Sequence, residues 1–231
     1  MKSSKNWILA ALGAIFIWVL ACGGGGGGGS GGGSSSSGYS TSDYQYLNLH
    51  NASYLSGHTI RWPNVPISVS APEFPEAQAA FERWTTASGG QVRFSFGGGS
   101  NITVRYDSNM SYCGLATLTY NSAGQIILAT IAIHPDQSRC YDGLSNTLTH
   151  EAAHAIGFFG HDPSGSLMSS TGNGPILSQH GTFFKMLYSM SPGTDITGFL
   201  GKKRTTASTT FSKSGGRTFT IVIPRRRACP R

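Results

Sequence analysis

His150-Glu151-Ala152-Ala153-His154-Ala155-Ile156-Gly157-Phe158-Phe159-Gly160-His161 is the stretch on which the reading of this chain turns. On a helix, residues four apart differ by only about 40° around the axis, so His150 and His154 project side by side. Two imidazoles so placed can bind one Zn²⁺ at about 2.0–2.1 Å each. Glu151 follows the first of them and can take the proton of a water delivered to the same place. Gly157, three residues beyond His154, can end the helix in a left-handed conformation and turn the chain back. A third histidine, His161, follows. The plainer alternative is a helix with two satisfied or exposed histidines and a solvated glutamate; the sequence beyond Gly157 argues against it.

Seven residues after His161, the segment Ser166-Leu167-Met168-Ser169 brings a methionine. Together these residues resemble the metzincin zinc peptidases, and within them the matrixin group. The resemblance implies a zinc-dependent endopeptidase in which a third histidine after the glycine completes the ligand set and Met168 forms a turn beneath the metal. One position departs from the family spacing. The third histidine normally stands where this chain has Gly160, so His161 is the candidate ligand, with His134, His180 and the oxygen donor Asp162 as the other options. His134 ends a strand and His180 begins a helix, so both have ordinary surface explanations, and His50 and His58 carry no signal. The resemblance further implies a twisted, mostly parallel sheet with one antiparallel edge strand along the cleft. By analogy Gln125–Ile133 is that edge, with Ile127, Ala129 and Ile131 set to receive an extended peptide through main-chain hydrogen bonds.

Working outward, Thr59–Trp62 and Ile67–Ser70 alternate as β-structure, interrupted by Pro63 and Pro66. Ala77, Ala80, Phe81 and Trp84 recur at helical spacing, and Gly89-Gly90 stops the pattern. Gln91–Phe96, Asn101–Tyr106, Leu115–Tyr120 and Gln125–His134 read as strands, Leu144–Ile156 as the active-site helix and Gln179–Met190 as a C-terminal helix. The order fits an α+β fold with a mixed sheet, and neither a doubly wound parallel sheet nor an all-β sandwich.

The N-terminus reads as a targeting segment. Lys2 and Lys5 precede an apolar run, Trp7 to Leu20, that is short for a membrane span of about 20 residues. Val19-Leu20-Ala21-Cys22 resembles a bacterial lipobox, which makes Cys22 the lipidation candidate and implies an exported protein anchored at the cell envelope. Residues 23–44 are read as a Gly/Ser-rich linker, 45–200 as the catalytic domain and 201–231 as a basic extension. That extension holds nine Lys and Arg and no acid; removing them from the net charge of +7 leaves −2 for the rest. The basicity therefore belongs to the tail, read as a solvated extension, and an exported chain is a poor candidate for nucleic acid. In an oxidising compartment Cys113 and Cys140 are the preferred disulfide. No dense Asp cluster speaks for Ca²⁺. The expected partners are a peptide or protein substrate and, through Cys22, a membrane, with the chain a monomer. A different class of reading is a non-catalytic surface lipoprotein that keeps the fold for adhesion or ligand binding.

Overall fold

A computed structural model describes residues 38–140, 143–163, 165–172, 174–201 and 218–224. Its first element, α1 (Thr41–His50), is opened by a reciprocal cap. The Ser40 hydroxyl accepts from the Asp43 N–H, and the Asp43 carboxylate accepts from the Ser40 N–H. Tyr44, Leu47 and His50 are its buried residues. The linker boundary expected at residue 44 is thus corrected: ordered, packed structure already begins at the Ser40 cap. The segments 1–22 and 23–37, with Cys22, lie outside the described residues.

Among the described residues, four helices and six strands follow one another as α1, β1 (Ile67–Ser70), α2 (Ala77–Ala87), β2 (Phe94–Phe96), β3 (Ile102–Tyr106), β4 (Gly114–Asn121), β5 (Ile126–Ile133), α3 (Gly143–Ala155), α4 (Ser178–Ser189) and β6 (Thr218–Pro224). The fold is α+β. The strands form one mixed sheet in the order β2-β1-β3-β5-β4-β6. Pairs β1–β2, β1–β3 and β3–β5 are parallel, while β4 runs antiparallel to both β5 and β6.

Three expectations are corrected here. Thr59–Trp62 is not a strand: it makes a single bridge, Arg61 to Gln125, next to the His58–Asp195 bridge just before it. Its Ile60 is bracketed by the Asn51 side chain instead, which donates to the Ile60 carbonyl and accepts from its N–H. Second, β5 is interior, not an edge, because it is paired with β3 on one side and β4 on the other. The side chains of Ala129 and Ile131 are buried in the core and cannot face a bound peptide, whereas Ile127 is half exposed. Third, the basic extension is not solvated throughout, since Thr218–Pro224 pairs with β4 over seven positions. Residues 202–217 and 225–231 lie outside the described residues.

The core lies between the sheet and helices α2, α3 and α4. Phe81, Trp84, Ile102, Leu118, Ile131, Phe158 and Phe184 are among its largest fully enclosed members. Helix α2 turns Ala77, Ala80, Phe81 and Trp84 inward, the i, i+3, i+4, i+7 stripe of a helix with one apolar face.

Candidate metal centre

Helix α3 carries the histidines and is enclosed on all sides, every residue from Thr147 to Ala155 being buried. A helix so enclosed is held by its neighbours rather than by a single apolar stripe. Two tryptophans fix its position through their indole N–H groups, which must find acceptors once buried. Trp84 Nε1 donates to the Thr149 carbonyl at 2.6 Å and Trp62 Nε1 to the Ala155 carbonyl at 2.9 Å. These two bonds clamp the helix at its middle and at its last residue, on either side of His150 and His154.

The imidazoles converge as the helical spacing requires. His154 Nε2 lies 3.0 Å from His150 Nε2, which in turn lies 3.3 Å from His161 Nε2. Donor atoms from all three lie within 4.8 Å of one another, and among the described residues they form the group of His, Cys, Asp or Glu suited to a metal ion. Nitrogens about 2.0–2.1 Å from a tetrahedral ion stand about 3.3–3.4 Å apart, so the spacing matches that of ligands around one ion.

The other ring nitrogens supply a second test. His150 Nδ1 donates to the Leu167 carbonyl at 2.6 Å, and His154 Nδ1 donates to the Phe158 carbonyl at 2.5 Å. A carbonyl only accepts, so each Nδ1 carries the proton and each Nε2 turns its lone pair toward the other ring. Fixing the tautomer in this way is what a metal-binding imidazole needs. The donor set therefore fits a single metal ion.

His161 reaches the cluster from the loop after α3, and that loop is shaped by α1. Gly157 has φ 115°, and its carbonyl accepts from the Asn51 amide. Phe159 N–H donates to the His50 carbonyl at 2.7 Å, and the Tyr54 hydroxyl donates to the Phe159 carbonyl. At Gly160 a β-carbon would stand 2.4 Å from His50 Nδ1. The His50 ring occupies the room that a side chain at position 160 would need, and the imidazole that joins the cluster stands at position 161.

The next residue, Asp162, anchors the loop. Its carboxylate accepts from the Tyr46 hydroxyl at 2.7 Å, from His180 Nε2 at 2.6 Å and from the Ser166 hydroxyl at 2.8 Å, while its N–H donates to the Met168 carbonyl. Burial would raise this carboxyl, but the hydrogen bonds from His180, Tyr46 and Ser166 outweigh it and hold it down at about 2. The same burial, followed by the Asp162 contact, raises the Tyr46 hydroxyl. His50 is pushed down to about 4 by burial, against the pull of Asp162. Met168 is fully buried, in a turn stitched to both ligand-bearing segments: Leu167 receives His150, and Met168 receives Asp162.

Glu151 is fully buried and lies against the start of β4, where a β-carbon on Gly114 would stand 2.5 Å from Glu151 Oε1. Cys113, immediately before Gly114, is disulfide-bonded to Cys140, just before α3. The bridge ties the strand that receives the carboxylate to the helix that bears it. Of the other candidate ligands, His180 serves Asp162, and His134 accepts from the Asp136 N–H outside the triad. Sequence reasoning missed His50, Tyr46, Gly114 and Asp162's anchoring role. The Ser40-x-x-Asp43 cap was the available signal for the helix that delivers Tyr46 and His50.

No protein-family model matches the chain, and no curated protein sequence matches it either.

Proposed function

We propose that the chain is a zinc-dependent endopeptidase of metzincin type. The observation that carries the reading is the convergence of the His150, His154 and His161 Nε2 atoms, with buried Glu151 on the same helix turn. His150, His154 and His161 would hold the ion. When bound, zinc supplies Lewis acidity toward a carbonyl and makes a neighbouring water easier to deprotonate.

The rest is work for the chain's own residues. Glu151, set against the β4 backbone at Gly114, takes the proton of the attacking water and passes it to the leaving amine. β4, which begins beside Glu151 and runs antiparallel to β5, is the strand to which an extended peptide would add. Setting β6 aside, β2-β1-β3-β5-β4 has a single antiparallel strand at its edge, as the metzincin resemblance implies. The sequence supports an exported enzyme, lipid-anchored at Cys22.

The test is hydrolysis of a broad peptide library by zinc-loaded wild type and Glu151→Ala. Wild type cleaves, and Glu151→Ala loses at least about a hundredfold in kcat/KM, the lower range for general acid–base catalysis. A zinc-loaded wild type inert across the library contradicts the reading and favours a binding module.

A further inference from the structure

We infer that β6 is a built-in occupant of the peptide-binding edge, competing in cis with extended substrates. The inference rests on β4 being the peptide edge of the proposed peptidase. Strand β4 has one side bonded to β5, so an incoming extended peptide has only its other side to pair with. That side is filled by the chain itself. Thr218–Pro224 runs antiparallel to it in continuous register, from Thr218 opposite Asn121 to Pro224 opposite Leu115. β6 therefore runs toward the candidate site, and its last described pair, Pro224 with Leu115, lies one register position from Gly114, the residue against which Glu151 lies.

The side chains of β6 indicate what the edge accepts. Phe219, Ile221 and Ile223 face one way: Ile223 is buried opposite Ala116, Ile221 packs on the core opposite Leu118, and Phe219 stacks on Tyr120 at 5.3 Å. Thr218, Thr220 and Val222 face solvent. The preferred substrate is thus an extended segment with aromatic or aliphatic residues at alternate positions and no charge among them. A segment of the same chain competes at an effective concentration on the order of millimolar, enough to mask an edge whose affinity for a free peptide is weaker than that of a tight complex.

The experiment measures binding of a fluorescent peptide with the sequence of residues 218–225, by anisotropy, to three full-length proteins. These are wild type, Val222→Pro/Ile223→Pro, and wild type carrying a specific cleavage site within residues 202–217 and cut there after folding. Two adjacent prolines remove a ladder N–H whichever of the two residues donates it. The cut form tests the same point with β6 unchanged. The expected result is at least about tenfold tighter binding by the proline variant and by the cut protein than by uncut wild type. A peptide with Phe219, Ile221 and Ile223 replaced by serine binds at least about tenfold more weakly. Equal peptide binding by uncut and cut protein overturns the inference. Peptide hydrolysis, followed in parallel, separates the two readings. Tighter binding without hydrolysis keeps β6 as the occupant and removes the peptidase, whereas hydrolysis with equal binding in all forms does the reverse.

Discussion

Glycine at position 114 gives the Glu151 carboxylate its room, because a β-carbon there would also lie 2.6 Å from Glu151 Cγ and 2.8 Å from Cδ. Backbone cannot yield as a flexible side-chain end can, so the added methyl displaces the carboxylate. Gly114→Ala should lower kcat/KM by at least about tenfold, a loss consistent with misplacement of a catalytic group by a fraction of an ångström. Zinc content should stay unchanged, as measured alongside peptide hydrolysis. His50 carries a different prediction. Buried and stacked on Phe158 at 4.4 Å, it titrates at about 4 folded and about 6.5 unfolded. The unfolded chain therefore binds the extra proton between those values, and stability is lost as pH falls below about 6.5. Between pH 7.5 and 5 this amounts to about 2 kcal/mol. His50→Phe, which keeps a ring against Phe158, should remove that part of the acid sensitivity when urea midpoints of the two proteins are compared across pH. Equal pH slopes would place the sensitivity elsewhere. Of the site residues, His150, Glu151 and His154 were legible in sequence because an i, i+4 spacing is a statement about one helix, and His161 only through the resemblance that expects a third histidine after the glycine. Gly114 and His50 were not, since each matters through a contact formed by segments 37 and 110 residues apart in the chain.

At the scale of elements, α3 is held from outside by Trp62, Trp84 and the Cys113–Cys140 bridge. The bridge closes a 27-residue separation that contains β4, β5 and the turn into α3. Its loss releases loop entropy to the unfolded chain, worth roughly 3–4 kcal/mol in the chain-entropy treatment. Cys113→Ser/Cys140→Ser should accordingly shift the urea midpoint downward by a corresponding amount in zinc-loaded protein. An unchanged midpoint would mean that the two segments are fixed by packing alone. Periodicity revealed α2 and α4 because their apolar residues repeat every three to four positions, whereas α3 was read from the spacing of its histidines. It did not reveal α1, where Leu49 is 62% exposed and a histidine is buried, which blurs the stripe. The strand at Thr218–Pro224 alternates apolar and polar side chains over most of its length, but its partner lies about a hundred residues earlier and it is embedded in a segment whose main sequence signal is its Lys and Arg.

Across the whole molecule, the choice of edge strand was the point that sequence could not decide. β4 and β5 are joined by a short turn and both are rich in β-branched and aliphatic residues, so either can sit outside. The parallel pairing of β5 with β3 makes β5 interior and leaves β4 between β5 and β6, with its first residue against Glu151. The three histidines then come from two segments, with His150 and His154 on α3 and His161 on a loop braced by α1, Asp162 and the Met168 turn. The measurement that bears most directly on this centre is zinc stoichiometry in full-length wild type and His161→Ala, after loading and exhaustive dialysis. One zinc per wild-type chain and less than about a tenth of that in His161→Ala is the expected result, since two histidines alone do not make the three-ligand set of a catalytic zinc site. Stoichiometric zinc retained by His161→Ala, or none taken up by wild type, would contradict it.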